Sequence, residues 1–219
     1  MTLSLVIFDC DGVLIDSEMI ACSVLASVLG RFGYDISPEE VARRFAGVSP
    51  LDIRSAIEGE IGRTLPADLE SCVTEGLKVE YPKCLMPIPN ISTQLDELDA
   101  SNIRWCVASS SPPDRLQIAL KTVGLWDRAS PNVFSAALVR SGKPAPDLFL
   151  FAASKMSAPP SRCLVVEDTV VGVEAAKAAG MKAIGFAGAS HCKPELPRSL
   201  MGAGADAVLC QFPGLFKYL

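Results

Sequence analysis

The sequence predicts an α/β fold, a doubly wound parallel sheet with an all-helical block inserted after its first strand. Two observations carry this expectation. From residue 90 onward, short apolar runs alternate with amphipathic stretches of helical spacing, the pattern of right-handed βαβ crossovers. Between Ser17 and Glu80 only helical spacing occurs. An all-helical stretch behind a single strand reads as an insertion. The expected division is a core of residues 1–16 and 87–219 and a helical cap of residues 17–86.

The first strand is Ser4-Leu5-Val6-Ile7-Phe8, apolar enough to be buried on both faces. Asp9 and Asp11 follow at its carboxyl end, where open α/β sheets collect ligands, and Gly12 opens a turn. Alternation sends Asp9 and Asp11 to one side and Cys10 to the other. Two carboxylates held so close repel unless a cation lies between them or one is protonated. Asp-x-Asp-Gly is also ordinary turn chemistry.

In the inserted block, Ile20, Val24, Leu25 and Val28 recur at helical spacing, and Gly30 can end that helix. Ser37-Pro38-Glu39-Glu40 and Ser49-Pro50-Leu51-Asp52 each offer an N-cap hydroxyl, a proline at the first helical position and an acid in the first turn. A fourth helix is expected over residues 67–80, leaving through Pro82, Pro87 and Pro89 as a stiff hinge.

Beyond it, residues 91–98 read as a helix and 103–108 as a strand ending at Ser109-Ser110-Ser111. Ser111-Pro112-Pro113-Asp114 repeats the capping signature and assigns Ser111 to the N-cap of the next helix. A short strand over 132–136 and a helix over 146–153 follow, the latter just after Lys143. Residues 163–166 form a strand closed by Glu167-Asp168, with a helix over 171–179. The last strands are 183–186 and 207–209, and 191–205 reads as a loop.

With 219 residues, 49% of them hydrophobic, the chain can bury one large core and a small insertion. A net charge of -5 argues against general nucleic-acid binding. No apolar run approaches the roughly 18 residues of a membrane span, so no membrane partner is expected. The N-terminal apolar stretch lacks a basic leader and is cut by Asp9, unlike a signal peptide. The eight cysteines stand singly, with one histidine, His191; this predicts reduced thiols in a cytoplasmic protein and no zinc site. Oligomeric state is not legible.

Three further polar sites fall at strand ends or just beyond. Ser109 precedes a helix N-terminus, a favourable place for an anion. Lys143 is held in Ser141-Gly142-Lys143-Pro144-Ala145-Pro146, and Glu167-Asp168 adds two acids. Each alone has a plain structural reading as a helix cap, a solvated cation or turn acids. Taken in order, Asp9-Cys10-Asp11-Gly12-Val13-Leu14-Ile15-Asp16-Ser17-Glu18, Ser109, Lys143-Pro144 and Glu167-Asp168 resemble the four motifs of the haloacid dehalogenase-like superfamily, in its phosphatase and phosphomutase branch. The resemblance covers nearly the whole chain.

That resemblance implies a Rossmann-like core with a helical cap and hydrolysis of phosphoric monoesters. By its motifs, Asp9 is the nucleophile that becomes an aspartyl-phosphate. Asp11 is the general acid and then the base. Mg²⁺ is implied at Asp9, the main-chain carbonyl of Asp11, Asp168 and Glu167, the last directly or through water. Ser109, Ser110 and Lys143 would hold the transferring phosphoryl group. The chemistry agrees with this on its own terms, because a carboxylate approaching a phosphate dianion is repelled unless cations neutralise the charge. Arg43 and Arg44, ahead of Gly47, are either contacts for the leaving group or solvated helix charges.

A hexose-phosphate mutase similar to β-phosphoglucomutase also shares Gly47-Val48-Ser49 and Lys143-Pro144-Ala145-Pro146-Asp147. The cap histidine and arginine that return phosphoryl to sugar in that enzyme correspond here to Ala21 and Pro50. Dehalogenation would leave Asp11 and the Glu167-Asp168 pair without a use. A non-enzymatic phosphate-binding protein on the same fold would be expected to lack Asp9 or Asp11. The expectation is therefore hydrolysis of a small phosphorylated metabolite whose identity the sequence does not give.

Overall fold

The computed structural model describes residues 3–45, 48 and 50–219. Six strands, β1 (Leu5–Phe8), β2 (Arg104–Ser109), β3 (Val133–Ser135), β4 (Cys163–Glu167), β5 (Lys182–Phe186) and β6 (Ala207–Leu209), form one parallel sheet in the order β3-β2-β1-β4-β5-β6. The chain starts mid-sheet, winds out through β2 and β3, then returns past β1 to add the other three strands. The direction of winding reverses beside β1, so the crevice at the carboxyl ends of β1 and β4 is where a ligand is expected. The doubly wound parallel sheet read from the sequence is the fold that forms.

Four helices, α1 (Glu18–Arg31), α2 (Pro38–Phe45), α3 (Pro50–Ile61) and α4 (Leu69–Cys84), and then α5 (Ile91–Ala100) separate β1 from β2. α6 (Pro113–Thr122) and the short α7 (Trp126–Ala129) lead into β3, while α8 (Asp147–Lys155), α9 (Val170–Ala178) and α10 (Leu196–Gly202) follow β3, β4 and β5. Leu5, Val6, Ile7 and Phe8 are fully buried, so both faces of β1 are covered. Leu5 and Ile7 pack with Cys106, Val165, Leu148, Phe149, Val173 and Leu200, where α8, α9 and α10 lie. On the alternate side Phe8 meets Trp105 and Phe212 edge-on, and Phe212 stacks on Phe186.

The chain divides into two compact units, one running to Asp16 and resuming at Met86, the other Ser17–Leu85. Within Ser17–Leu85, α1 packs against α2 and α4 around Val24, Val28, Leu29, Val41, Leu69 and Leu77. Arg54 of α3 ties the segment before α4, donating to Leu65 O at 3.0 Å, Pro66 O at 2.9 Å and Glu70 Oε2 at 2.9 Å. Ser37 caps α2 as expected, its Oγ accepting from Glu40 N at 3.2 Å. Ala46, Gly47 and Ser49 lie outside the described residues, and with them the cap expected of Ser49.

Three readings are corrected. Gly30 does not end the first helix but lies inside α1, which runs to Arg31 with Phe32 as its C-cap. α4 does not stop near Glu80 but runs through Pro82 to Cys84. The ladder closes beyond the proline, where Leu85 N donates to Tyr81 O at 2.9 Å. Residues 191–205 are not all loop, because α10 occupies Leu196–Gly202. Leu200 is its one fully buried side chain, so it presents no repeating apolar face to read.

Candidate active site

Register assembles the centre of the site. Phe8 pairs with Val166 across β1 and β4, and Asp9 N donates to Val166 O at 2.9 Å. The next residue along each chain is an acid, so Asp9 and Glu167 emerge side by side with Asp168 one residue beyond. The three are buried, and a carboxylate oxygen from each lies within 4.8 Å of the others. Lys143, carried by the loop ahead of α8, reaches this cluster: its Nζ donates to Asp9 Oδ1 at 2.7 Å and to Glu167 Oε2 at 2.6 Å. The Phe149 ring lies 5.2 Å from the ammonium.

Two close approaches hold the acids in place. Gly12 has φ +76°, and a Cβ there would stand 1.9 Å from Asp168 Oδ2. At Gly172, in the first turn of α9, a Cβ would meet Glu167 Cδ at 2.0 Å. Glu167 Oε1 also accepts from Thr169 Oγ1 at 2.7 Å, and Thr169 in turn caps α9 by accepting from Gly172 N.

Burial pushes the Asp9 carboxyl well above its usual range; the negative charges of Glu167, Asp168 and Asp11 push the same way, and Lys143 opposes them. Burial works against the charge on Lys143, but Asp9 and Glu167 outweigh it and raise its pKa. Three buried carboxylates are thus set against one ammonium that touches two of them. An all-oxygen set with this excess of negative charge suits a hard divalent cation.

The serines separate. Ser109, at the end of β2, is buried, and its Oγ accepts from Ser111 N at 3.1 Å. Ser110 is exposed. Ser111 does not cap α6. The residue before a proline is kept out of the helical region, so Pro112, which precedes Pro113, stays extended with ψ 152° and takes the N-cap position, leaving Ser111 one residue outside it. Its hydroxyl instead donates to Asp11 Oδ2 at 2.6 Å, while Ser135 Oγ, at the end of β3, donates to Ser111 O at 2.7 Å. Arg115 approaches the same carboxylate, 3.8 Å from Asp11 Oδ1.

Ser111, Arg115, Thr169 and His191 border these acids, and sequence reasoning passed over them. Ser111 was hidden by its capping signature, and Thr169 follows Asp168 directly. His191 Nε2 lies 3.3 Å from Asp168 Oδ2, a contact made across the sheet that no local pattern announces.

In the helical unit, Arg43 is exposed and pairs with Glu40. Arg44 is engaged by its own unit: it donates to Tyr34 Oη at 2.8 Å and to Glu60, and stacks over Phe45.

Residues 3–180 match the family model described as haloacid dehalogenase-like hydrolase. The chain is 30% identical over 190 residues to the 6-phosphogluconate phosphatase of Escherichia coli, covering 86% of this chain and 85% of that one. Among solved structures, a conserved haloacid dehalogenase-like protein from Agrobacterium tumefaciens is 37% identical, with a TM-score of 0.81 and coverage of 99% of this chain and 98% of that one. A hydrolase of the same family from Deinococcus radiodurans, with bound phosphate and sodium, is 30% identical, with a TM-score of 0.77 and coverage of 97% and 93%. The motif order, the sheet topology and the matched length agree, and this chain belongs to the haloacid dehalogenase-like hydrolases.

Proposed function

We propose that this chain is a Mg²⁺-dependent phosphatase that hydrolyses a small phosphorylated metabolite, of the sugar-phosphate class, through an aspartyl-phosphate on Asp9. The observation that carries the reading is the buried cluster of Asp9, Glu167 and Asp168 with Lys143 in contact with the first two. The phosphate bound in the Deinococcus neighbour and the substrate named for the Escherichia coli relative support the substrate class.

Asp9, Asp168 and Glu167 would hold the metal, together with the Asp11 carbonyl. When bound, it would neutralise the excess charge of the cluster, keep Asp9 ionised against the effect of burial and draw a phosphate dianion toward the carboxylates. The chain's own groups do the rest. An Asp9 oxygen attacks phosphorus as the bond from phosphorus to the leaving oxygen breaks. Asp11 gives its proton to that oxygen, and the alcohol departs. Asp11, now a carboxylate, takes a proton from the water that attacks the same phosphorus. The bond to Asp9 breaks, releasing inorganic phosphate and restoring both acids. Ser109 and Lys143 would steady the phosphoryl oxygens. All these groups belong to one unit; the choice of leaving group would fall to the helical insertion, as the family resemblance implies.

Hydrolysis is preferred to phosphoryl return because Ala21 and Pro50 carry no group that could transfer a proton or hold a second phosphate. The test is a phosphate-release screen across phosphorylated metabolites with Mg²⁺ and with EDTA. Activity should require Mg²⁺ and disappear in a folded Asp9→Asn variant. Turnover by that variant, with deamidation excluded, would remove Asp9 from the reaction. With β-glucose 1-phosphate and catalytic glucose 1,6-bisphosphate, glucose 6-phosphate forming faster than free phosphate would establish the mutase instead.

A further inference from the structure

We propose that His191 is a positioning residue for the metal ligand Asp168, and that Asp16 holds the turn which presents it. The inference rests on the metal-site reading above and adds a part of the chain that lies outside the four motifs.

Three sets of contacts point to it. His191 Nε2 lies 3.3 Å from Asp168 Oδ2, with the two side chains 18% and 5% exposed. The contact is tightly walled, since a Cβ on Gly12 would stand 1.9 Å from Asp168 Oδ2 and 3.0 Å from His191 Cε1. The turn that carries the imidazole is pinned from the opposite end of the β1 loop. Ser190 Oγ donates to Asp16 Oδ1 at 2.9 Å, and Ser190 N lies 3.2 and 3.3 Å from the two Asp16 oxygens. Cys192 N donates to Ala189 O at 3.1 Å, closing the turn, and Ala187 N donates to Leu209 O at 2.7 Å, fixing its start to β6. Asp16 is itself anchored, its N–H donating to Met86 O at 2.9 Å.

A carboxylate that binds metal through one oxygen must have its plane fixed, or each binding event orders it anew. Groups that contact ligating side chains supply that fixity, and their loss weakens metal binding on the order of ten- to a hundred-fold. His191 meets Asp168 beside Gly12, whose lack of a side chain leaves room for both groups. The loop after β5 therefore acts as a brace running from Asp16 through Ser190 and His191 to Asp168.

The experiment is isothermal titration of Mg²⁺ into wild type, His191→Phe, His191→Gln and Ser190→Ala, with thermal melts in EDTA to establish folding. His191→Phe keeps bulk and loses the polar contact, and should bind Mg²⁺ about ten- to a hundred-fold more weakly. His191→Gln, which retains an N–H of similar reach, should recover most of the affinity. Ser190→Ala loosens the turn while leaving the imidazole, and should give a smaller loss. Equal affinity of wild type and His191→Phe overturns the proposal while leaving the metal site standing. So does a folded His191→Gln as weak as His191→Phe. If His191→Phe does not fold, unchanged affinity in Ser190→Ala overturns it. A wild type that binds no Mg²⁺ overturns the metal-site reading itself, and this inference with it.

Discussion

The hydroxyl of Ser111 donates a hydrogen bond to Asp11 Oδ2 over 2.6 Å, joining the loop after β2 to the loop after β1. Asp11 is the residue assigned to proton transfer, and that work needs its carboxylate aimed at the leaving oxygen. Ser111→Ala should lower kcat roughly ten-fold, a fraction of the roughly 10²–10⁴-fold that a general acid–base group supplies, because Asp11 itself remains. KM and thermal stability should change little, and Ser111→Thr should keep most of the rate. Equal kcat in wild type and Ser111→Ala would show that Asp11 is held by other contacts.

Lys143 offers a sharper test of the electrostatics. Its side chain is 4% exposed and pairs with both Asp9 and Glu167. Removing one partner from a buried ion cluster strands the other charges, at about 3–5 kcal/mol. Lys143→Met should therefore destabilise the protein by about that much in urea unfolding with EDTA present. Mg²⁺ should recover part of the loss if the three carboxylates hold it. A variant as stable as wild type in EDTA would mean the carboxylates do not depend on the ammonium.

Asp206 gives a pH dependence away from the site. Burial alone would raise its carboxyl, but the Ala183 N–H at 2.8 Å and Lys177 at 2.9 Å prevail and hold it below the ordinary carboxylate value. A carboxylate with a depressed folded-state pKa contributes stability that is complete above its unfolded value of about 4 and is lost as pH falls through the folded value. Asp206→Asn should cost about 1 kcal/mol at neutral pH, mostly because an uncharged amide oxygen accepts more weakly than a carboxylate from Ala183 N, the half-exposed Lys177 pair being screened. The gap between wild type and variant should close as pH falls from about 5 to about 2 in acid-unfolding curves. A gap independent of pH would show that the carboxylate charge contributes nothing there.

The parts of this molecule that could be read from sequence are those encoded locally. Leu5–Phe8 is apolar on both faces because both faces of β1 are packed over, and that pattern survives in the string itself. The acids at the ends of β1 and β4 were legible for the same reason, since their position at a strand terminus is a local property. What stayed hidden depends on contacts between distant elements. Ser111 carries every mark of an N-cap, and only the loop after β1 shows where its hydroxyl goes. His191 has no pattern around it, because its meaning comes from Asp168, just beyond the end of β4. α10 escaped because a short helix with one fully buried residue has no period.

The two cap arginines were read together, yet the structure gives them different situations, and this yields the last prediction. Arg44 lies among Tyr34, Glu60 and Phe45, and these contacts connect α2 with α3 and the segment before α2. Hydrogen bonds to Tyr34 and Glu60 hold its charge more firmly than usual despite some desolvation, and the Glu60 carboxyl pKa is lowered first by the hydrogen bond Tyr34 donates to it and then by Arg44. Arg43 has a 66% exposed side chain and, among the described residues, pairs with Glu40 one turn away, a pair of the kind that contributes little to stability. Arg44→Ala should therefore lower the melting temperature, with any loss of activity following the loss of folded protein. Arg43→Ala should leave the melting temperature unchanged. If Arg43 meets an anionic or hydroxylated leaving group, its removal should raise KM several-fold for the preferred metabolite and leave p-nitrophenyl phosphate, which lacks such groups, unaffected. The measurement is kcat/KM for both substrates beside a thermal melt of each variant. Equal loss on the two substrates, or none on either, would take Arg43 out of substrate selection and leave it a solvated helix charge.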